Sequence, residues 1–420
     1  MVNNPHSLPK VDFSRDILPN GMTVIVVPRQ DTGLVAVNLM YRVGSRDEDP
    51  GMTGLAHLME HLMFSGTDHY PAFDLPLTRV GGMNNAFTTQ DLTNYYIVIP
   101  AEDFRLAFDL EADRLKNLRL DQASIDVQKS VVIEEFRQRY LNQPYGDLNH
   151  LLCAAAFREH PYRWPTIGLI PEHIEAVKAD DLFQFYRRHY NPANLILAVA
   201  GNVERKQVTD LAGEFFGSIP AVVVSRPELP SEYASGRGSK TVVQRNVPTS
   251  MLLMAFPVTG SAHPHFPGFG FLADIIGQGV ISRLHSALVR DQKVFTKVSA
   301  GLTGTLDPGL ITISGMLQEN ISSESALEMV MTVIDDFITS GPTASEMKSV
   351  LNGMVTSVLF KRGNVMNLAL EIAATELESD ASRINTLLDE YMAVTPELIV
   401  DLAKSYLSRD NLIEVHYLKG

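Results

Sequence analysis

The chain closes each of its halves in the same way, and this restricts its architecture more than any other feature. Tyr190-Asn191-Pro192-Ala193-Asn194-Leu195-Ile196 follows an amphipathic stretch from Ala179 to His189. Tyr406 and then Asn411-Leu412-Ile413 follow a similar stretch from Pro396 to Ser405. Each reads as a helix, a tight turn and a terminal strand. The openings correspond as well. Leu34 to Tyr41 reads as a strand leading through a Gly-containing loop to a helix near Gly54 to Phe64, and Met251 to Phe256 as a strand leading to a helix near Phe269 to Ile276. Between the halves stand Pro220, Pro227, Pro230, Gly236 and Gly238 with few periodic apolar positions, the composition of a linker. The length of 420 residues also exceeds the usual domain of about 100–200. The expected fold is α+β: two structurally similar domains, each a mixed sheet packed with helices, over residues 1–219 and 241–420, joined by a linker at 220–240.

Charge and cysteine content narrow the function classes. Lys and Arg number 35 against 49 Asp and Glu, a formal net charge of −14, so a nucleic-acid partner is not expected. Cys153 is the single cysteine and lies in the apolar run Leu151-Leu152-Cys153-Ala154-Ala155-Ala156, where a buried, inert thiol is expected. The N-terminus, Met1-Val2-Asn3-Asn4-Pro5-His6, has neither the basic segment nor the apolar run of a signal peptide. The best apolar run, Leu195 to Ala200, is strand-length, far short of the roughly 18 residues of a membrane span. The expectation is a soluble bacterial protein of the cytoplasm, or of the periplasm if a signal peptide has been removed.

Chemistry concentrates in Gly54-Leu55-Ala56-His57-Leu58-Met59-Glu60-His61-Leu62-Met63, a helical pattern with Thr53 as the expected N-cap. His57 and His61, four apart, project from one face, where both imidazoles can reach a single metal ion. Glu60, one residue before His61, can approach an activated water without being a ligand. A catalytic zinc site wants three protein ligands. Cys153 is excluded by its apolar setting, which leaves Glu134 and Glu135, on the expected helix from Ser124 to Tyr140, as carboxylate candidates. Spacing alone does not choose between them. His69, His150 and His189 have no spacing that recruits them to the metal.

The arrangement H-x-x-E-H is the inverted zinc-peptidase signature. On these residues the chain resembles the pitrilysin and mitochondrial processing peptidase family of zinc peptidases, nearest to its short bacterial branch. Further segments carry the resemblance in order: Gly81-Gly82-Met83-Asn84-Asn85-Ala86-Phe87-Thr88-Thr89-Gln90, then Gln128 to Glu135, then His160-Pro161-Tyr162. The resemblance implies one zinc per chain, with Glu135 as third ligand and Glu60 as general base. It implies a peptide substrate paired along an open strand at Asn85, Ala86, Phe87 and Thr88. It also implies a dimer, either with a homologous non-catalytic chain or with itself.

Two departures stand out. Gln128 occupies the position, seven residues before the ligand, where the family pattern often has a second glutamate; it can hydrogen-bond but not ionise. In the second half, Arg290 falls where relatives carry an arginine, but Lys297 stands where a tyrosine would follow. The expected function is a zinc-dependent endopeptidase acting on short or unfolded peptides. The alternatives are a non-catalytic, core-like or partner subunit of a dimeric peptidase complex, or a zinc hydrolase of another substrate.

Overall fold

Strands from the two halves form two sheets of one design, seen in a computed structural model that describes residues 8–224, 229 and 238–420. The first contains β1 (Ser14–Ile17), β2 (Thr23–Pro28), β3 (Leu34–Tyr41), β4 (Met83–Thr88), β5 (Thr93–Pro100) and β6 (Leu195–Gly201), in the order β1-β2-β6-β3-β5-β4. The second contains β7 (Lys240–Arg245), β8 (Met251–Pro257), β9 (Phe295–Leu302), β10 (Leu310–Leu317) and β11 (Ile413–Lys419), in the order β7-β11-β8-β10-β9. In both, the half's last strand is inserted beside a parallel neighbour, β2 with β6 and β7 with β11, while the remaining pairs are antiparallel. The α+β architecture of two similar units is therefore the observed one.

The repeated closing segment has a common physical basis. After the helix Ala179–His189, the Asn194 amide donates to the His189 carbonyl at 2.8 Å. After the helix Pro396–Tyr406, the Asn411 amide donates to Ser405 and Tyr406 at 3.0 and 3.1 Å. Each asparagine satisfies carbonyls that a helix end leaves orphaned and turns the chain into the sheet.

What the repeat does not disclose is an exchange of helices. One face of the first sheet packs Val35, Val37 and Leu39 against helices of its own half. The other face, with Ala36, Met40, Ile196 and Ala198, is covered by Leu368, Ala369 and Ile372 from the helix Val365–Glu378 of the second half. In return Leu152 and Ala156, from the helix Leu148–Ala156, cover Leu253, Ala255 and Val415 of the second sheet. Strands buried on both faces read as continuous apolar runs, and such a run does not name the helix that will cover it.

The hairpin tips of the two halves also meet. Asp91, at the β4–β5 turn, accepts from the Leu306 N–H at 2.9 Å and from Tyr162 at 2.5 Å. Arg46 bridges Asp91 at 3.0 Å and Asp307, at the β9–β10 turn, at 2.9 Å. Tyr162 and His160, whose Nε2 lies 3.4 Å from Asp307, were singled out in the sequence and serve this junction. Pro227, Pro230 and Gly236 of the expected linker lie outside the described residues. Among the described residues, no helix is long and apolar enough to cross a membrane.

Candidate metal centre

The helix bearing the two histidines spans Leu55–Leu62 and sinks Leu55, Ala56, Leu58, Met59 and Leu62 into the first core. That burial leaves His57, Glu60 and His61 on the remaining face. Thr53 is not its N-cap. Its hydroxyl instead accepts from the Leu169 N–H and contacts the His173 ring, both at 2.8 Å. The helix starts at Gly54, with φ at +91° and the Ile167 carbonyl 2.6 Å from where a Cβ would stand, so glycine is required twice over.

Capping comes from Glu48, whose two carboxylate oxygens accept from the Gly54 and Ala56 N–H groups at 2.8 Å each. Burial pushes the Glu48 carboxyl up to about 8 against the opposing pull of those two donors. Sequence reasoning missed it because a cap six residues before its helix has no local signature. Glu48→Ala is expected to lower unfolding stability by about 1–2 kcal/mol, read by urea denaturation; an unchanged midpoint would remove Glu48 from this role.

The helix Gln122–Phe136, capped by Asp121 at the Ser124 N–H, carries the glutamates. It begins two residues before the expected Ser124, and past Phe136 it widens into a π-turn over Arg137–Leu141. Glu134 turns outward, 55% exposed, and accepts from Gln138 at 3.1 Å. Glu135 turns inward. Its Oε2 lies 3.9 Å from His57 Nε2 and 3.5 Å from His61 Nε2, while Oε1 pairs with Arg139 at 2.8 Å. One donor atom from each of His57, His61 and Glu135 lies within 4.8 Å of the other two. Three such donors around one point suit a zinc ion.

The electrostatics favour the same use. Burial, followed by the neighbouring His61, lowers His57 to about 4, so its imidazole is neutral and its lone pair available. The hydrogen bond with His61 holds Glu135 below its ordinary value. Burial raises Glu60, partly opposed by the Thr88 hydroxyl, which donates to its Oε2 at 2.5 Å.

These groups line a cavity of about 600 Å³ with Phe64, Gln128 and the strand residues Asn85, Ala86, Phe87 and Thr88. β4 is an edge strand of its sheet. Its Ala86 N–H donates to the Asn85 side chain at 2.8 Å, a local acceptor that occupies it in place of a neighbouring strand. Arg139, Tyr140, Thr166 and Ile167 also line the cavity and were not foreseen, since the π-turn and the loop before the helix Pro171–Ala176 leave no pattern in the sequence.

Other singled-out residues lie elsewhere. His69 pairs with Asp113 at 3.1 Å, His150 contacts the Gly168 carbonyl at 3.1 Å, and buried His189 packs on Phe185. Cys153 is buried as expected. Arg290 pairs with adjacent Asp291 at 2.8 Å, and neither Arg290 nor Lys297 lines the cavity.

Comparison with known proteins addresses the family and the fold. Residues 24–168 match the family model described as insulinase (peptidase family M16), and residues 176–354 the one described as peptidase M16 inactive domain. The zinc protease PqqE of Helicobacter pylori is 27% identical over 79% of this chain and 76% of its own. The uncharacterised zinc protease YmxG of Bacillus subtilis is 25% identical over 93% of this chain and 95% of its own. The crystal structure of a protease from Helicobacter pylori shares the fold at a TM-score of 0.89, with 24% identity over 97% of this chain and all of that one. A putative M16-like peptidase from Alicyclobacillus acidocaldarius does so at 0.84, with 19% identity over 99% of this chain and all of that one. With both halves matched in order and the fold shared end to end, the chain is a member of peptidase family M16.

Proposed function

We propose that the chain is a zinc-dependent endopeptidase for short or unfolded peptides. The observation that carries this reading is the convergence of His57, His61 and Glu135 beside Glu60 and an edge strand in one cavity. His57, His61 and Glu135 would hold one zinc ion, which when bound supplies a Lewis acid for the scissile carbonyl and acidifies a water. Glu60 takes the proton of the attacking water and passes it to the leaving amine, base first and acid second. Its raised pKa suits both tasks. The outward groups of β4 pair with the peptide backbone, so recognition rests on extended main chain more than on side chains.

The test is metal analysis of the purified chain together with mass-spectrometric mapping of cleavage products from quenched peptides, with and without a chelator. Zinc near one per chain and chelator-sensitive cleavage are expected. A zinc-replete chain that leaves every peptide intact, alone and with a homologous partner, would return the reading to a non-catalytic subunit. A dimer, with itself or with such a partner, belongs to the same proposal, and light scattering alongside the activity assay checks it.

Ala86→Pro tests the substrate strand. The Ala86 N–H is held by Asn85, outside the β4–β5 ladder, so proline there removes an outward donor and spares the hairpin. Losing one such bond, about 1 kcal/mol, is expected to weaken peptide binding roughly five- to tenfold by fluorescence anisotropy. Unchanged affinity would place the peptide elsewhere.

A further inference from the structure

Thr88 is the last residue of β4, and its side chain does not serve the sheet. It lies on the same face of the strand as Ala86, which packs against the first core cluster. There its hydroxyl donates to Glu60 Oε2 at 2.5 Å. Among the described residues, no hydrogen bond to Oε1 accompanies this one to Oε2. A carboxylate on a helix can swing about its side-chain torsions, and a hydrogen bond from a neighbouring element removes that freedom. The element here is the strand on which the peptide would pair.

From this geometry we infer that Thr88 is a positioning residue: it locks the carboxylate of Glu60 and couples backbone pairing along β4 to the placement of the general base. The inference rests on the peptidase reading and adds to it a route from substrate binding to proton transfer. β4 is already paired with β5 from Met83 to Thr88 and the Thr88–Glu60 bond is already made, so a peptide added along β4 would meet a base held in place from the same strand. The bland alternative is a β-branched strand residue whose hydroxyl takes the nearest acceptor. It differs in what it predicts, because a merely local contact would leave turnover alone.

The zinc-loaded full chain is compared with its Thr88→Val and Thr88→Ser variants on a quenched peptide. Valine keeps the shape and removes the donor; serine keeps the donor. For Thr88→Val the expected result is a fall in kcat of about 10- to 100-fold, the scale of a misplaced catalytic group, with KM within about twofold and zinc stoichiometry unchanged. Thr88→Ser is expected to recover turnover to within about threefold of wild type. A loss that falls on KM, a loss that serine fails to repair, or no loss at all would each overturn the inference.

A second measurement is independent of activity. Thr88→Val is expected to lower the urea midpoint of the wild-type chain but not that of a Glu60→Ala chain, where the acceptor is gone. Equal shifts in both backgrounds would show that the hydroxyl and the carboxylate are not coupled. A wild-type chain that cleaves no peptide would overturn the peptidase reading, and this cycle would then judge the tie between Thr88 and Glu60 alone.

Discussion

Glu60→Gln is expected to leave zinc bound at one per chain and to reduce peptide hydrolysis by at least about 10²- to 10⁴-fold, the range that a positioned general base contributes. The substitution is nearly isosteric. The amide oxygen can still accept from Thr88, which sits 2.5 Å from Oε2 in the wild type, so the helix and strand stay tied. What is lost is proton affinity: an amide oxygen cannot take the water's proton or return it to the amine. None of the three converging donors belongs to Glu60, so the metal has no reason to leave. Atomic absorption and a continuous quenched-peptide assay on the same preparation separate the two effects. Full turnover with zinc present would take Glu60 out of the mechanism.

The second large effect is expected at Glu135. Glu135→Gln should strip the chain of stoichiometric zinc, leaving only the two imidazoles where three candidate donors stood. The carboxylate supplies the negative charge of the trio, and Arg139 at 2.8 Å from Oε1 would face an uncharged amide after the change. Equilibrium dialysis against zinc reads the loss directly, and hydrolysis should fall with occupancy. Zinc retained at full stoichiometry would redirect attention to Glu134, even though that side chain is 55% exposed and faces Gln138.

The two substitutions would separate the proposed ligand from the proposed base because the two carboxylates arrive by different routes. Glu60 comes with the histidines on one short helix, so its place beside them is a matter of local periodicity and was readable from spacing. Glu135 comes from a helix more than sixty residues later, and a helical stretch with two adjacent glutamates leaves open which of them turns inward. The family resemblance chose Glu135, and the packing of Val132 and Phe136 into the protein shows how that helix rotates it toward the histidines.

Local pattern sufficed wherever a feature depends on neighbours in the chain. The histidine pair, the strands Leu34–Tyr41 and Leu195–Gly201, and the matched closing segments with Asn194 and Asn411 are all of this kind. It failed at Thr53, where the cap motif was present but its hydroxyl was taken by Leu169 and His173, and the distant Glu48 did the capping. Tertiary partners outbid a propensity worth only about a kilocalorie.

Periodicity and residue chemistry in this chain thus specify two similar α+β units and a helix equipped for one metal. Folding adds what periodicity cannot carry. It delivers Glu135 to the histidines, sets β4 at a sheet edge with Thr88 on Glu60, and sends Val365–Glu378 to cover the other half's sheet. The reason is one of range: helix and strand patterns repeat every few residues. Contacts between residues tens or hundreds apart follow from which apolar faces bury each other, and many faces are equally apolar until the whole chain has packed.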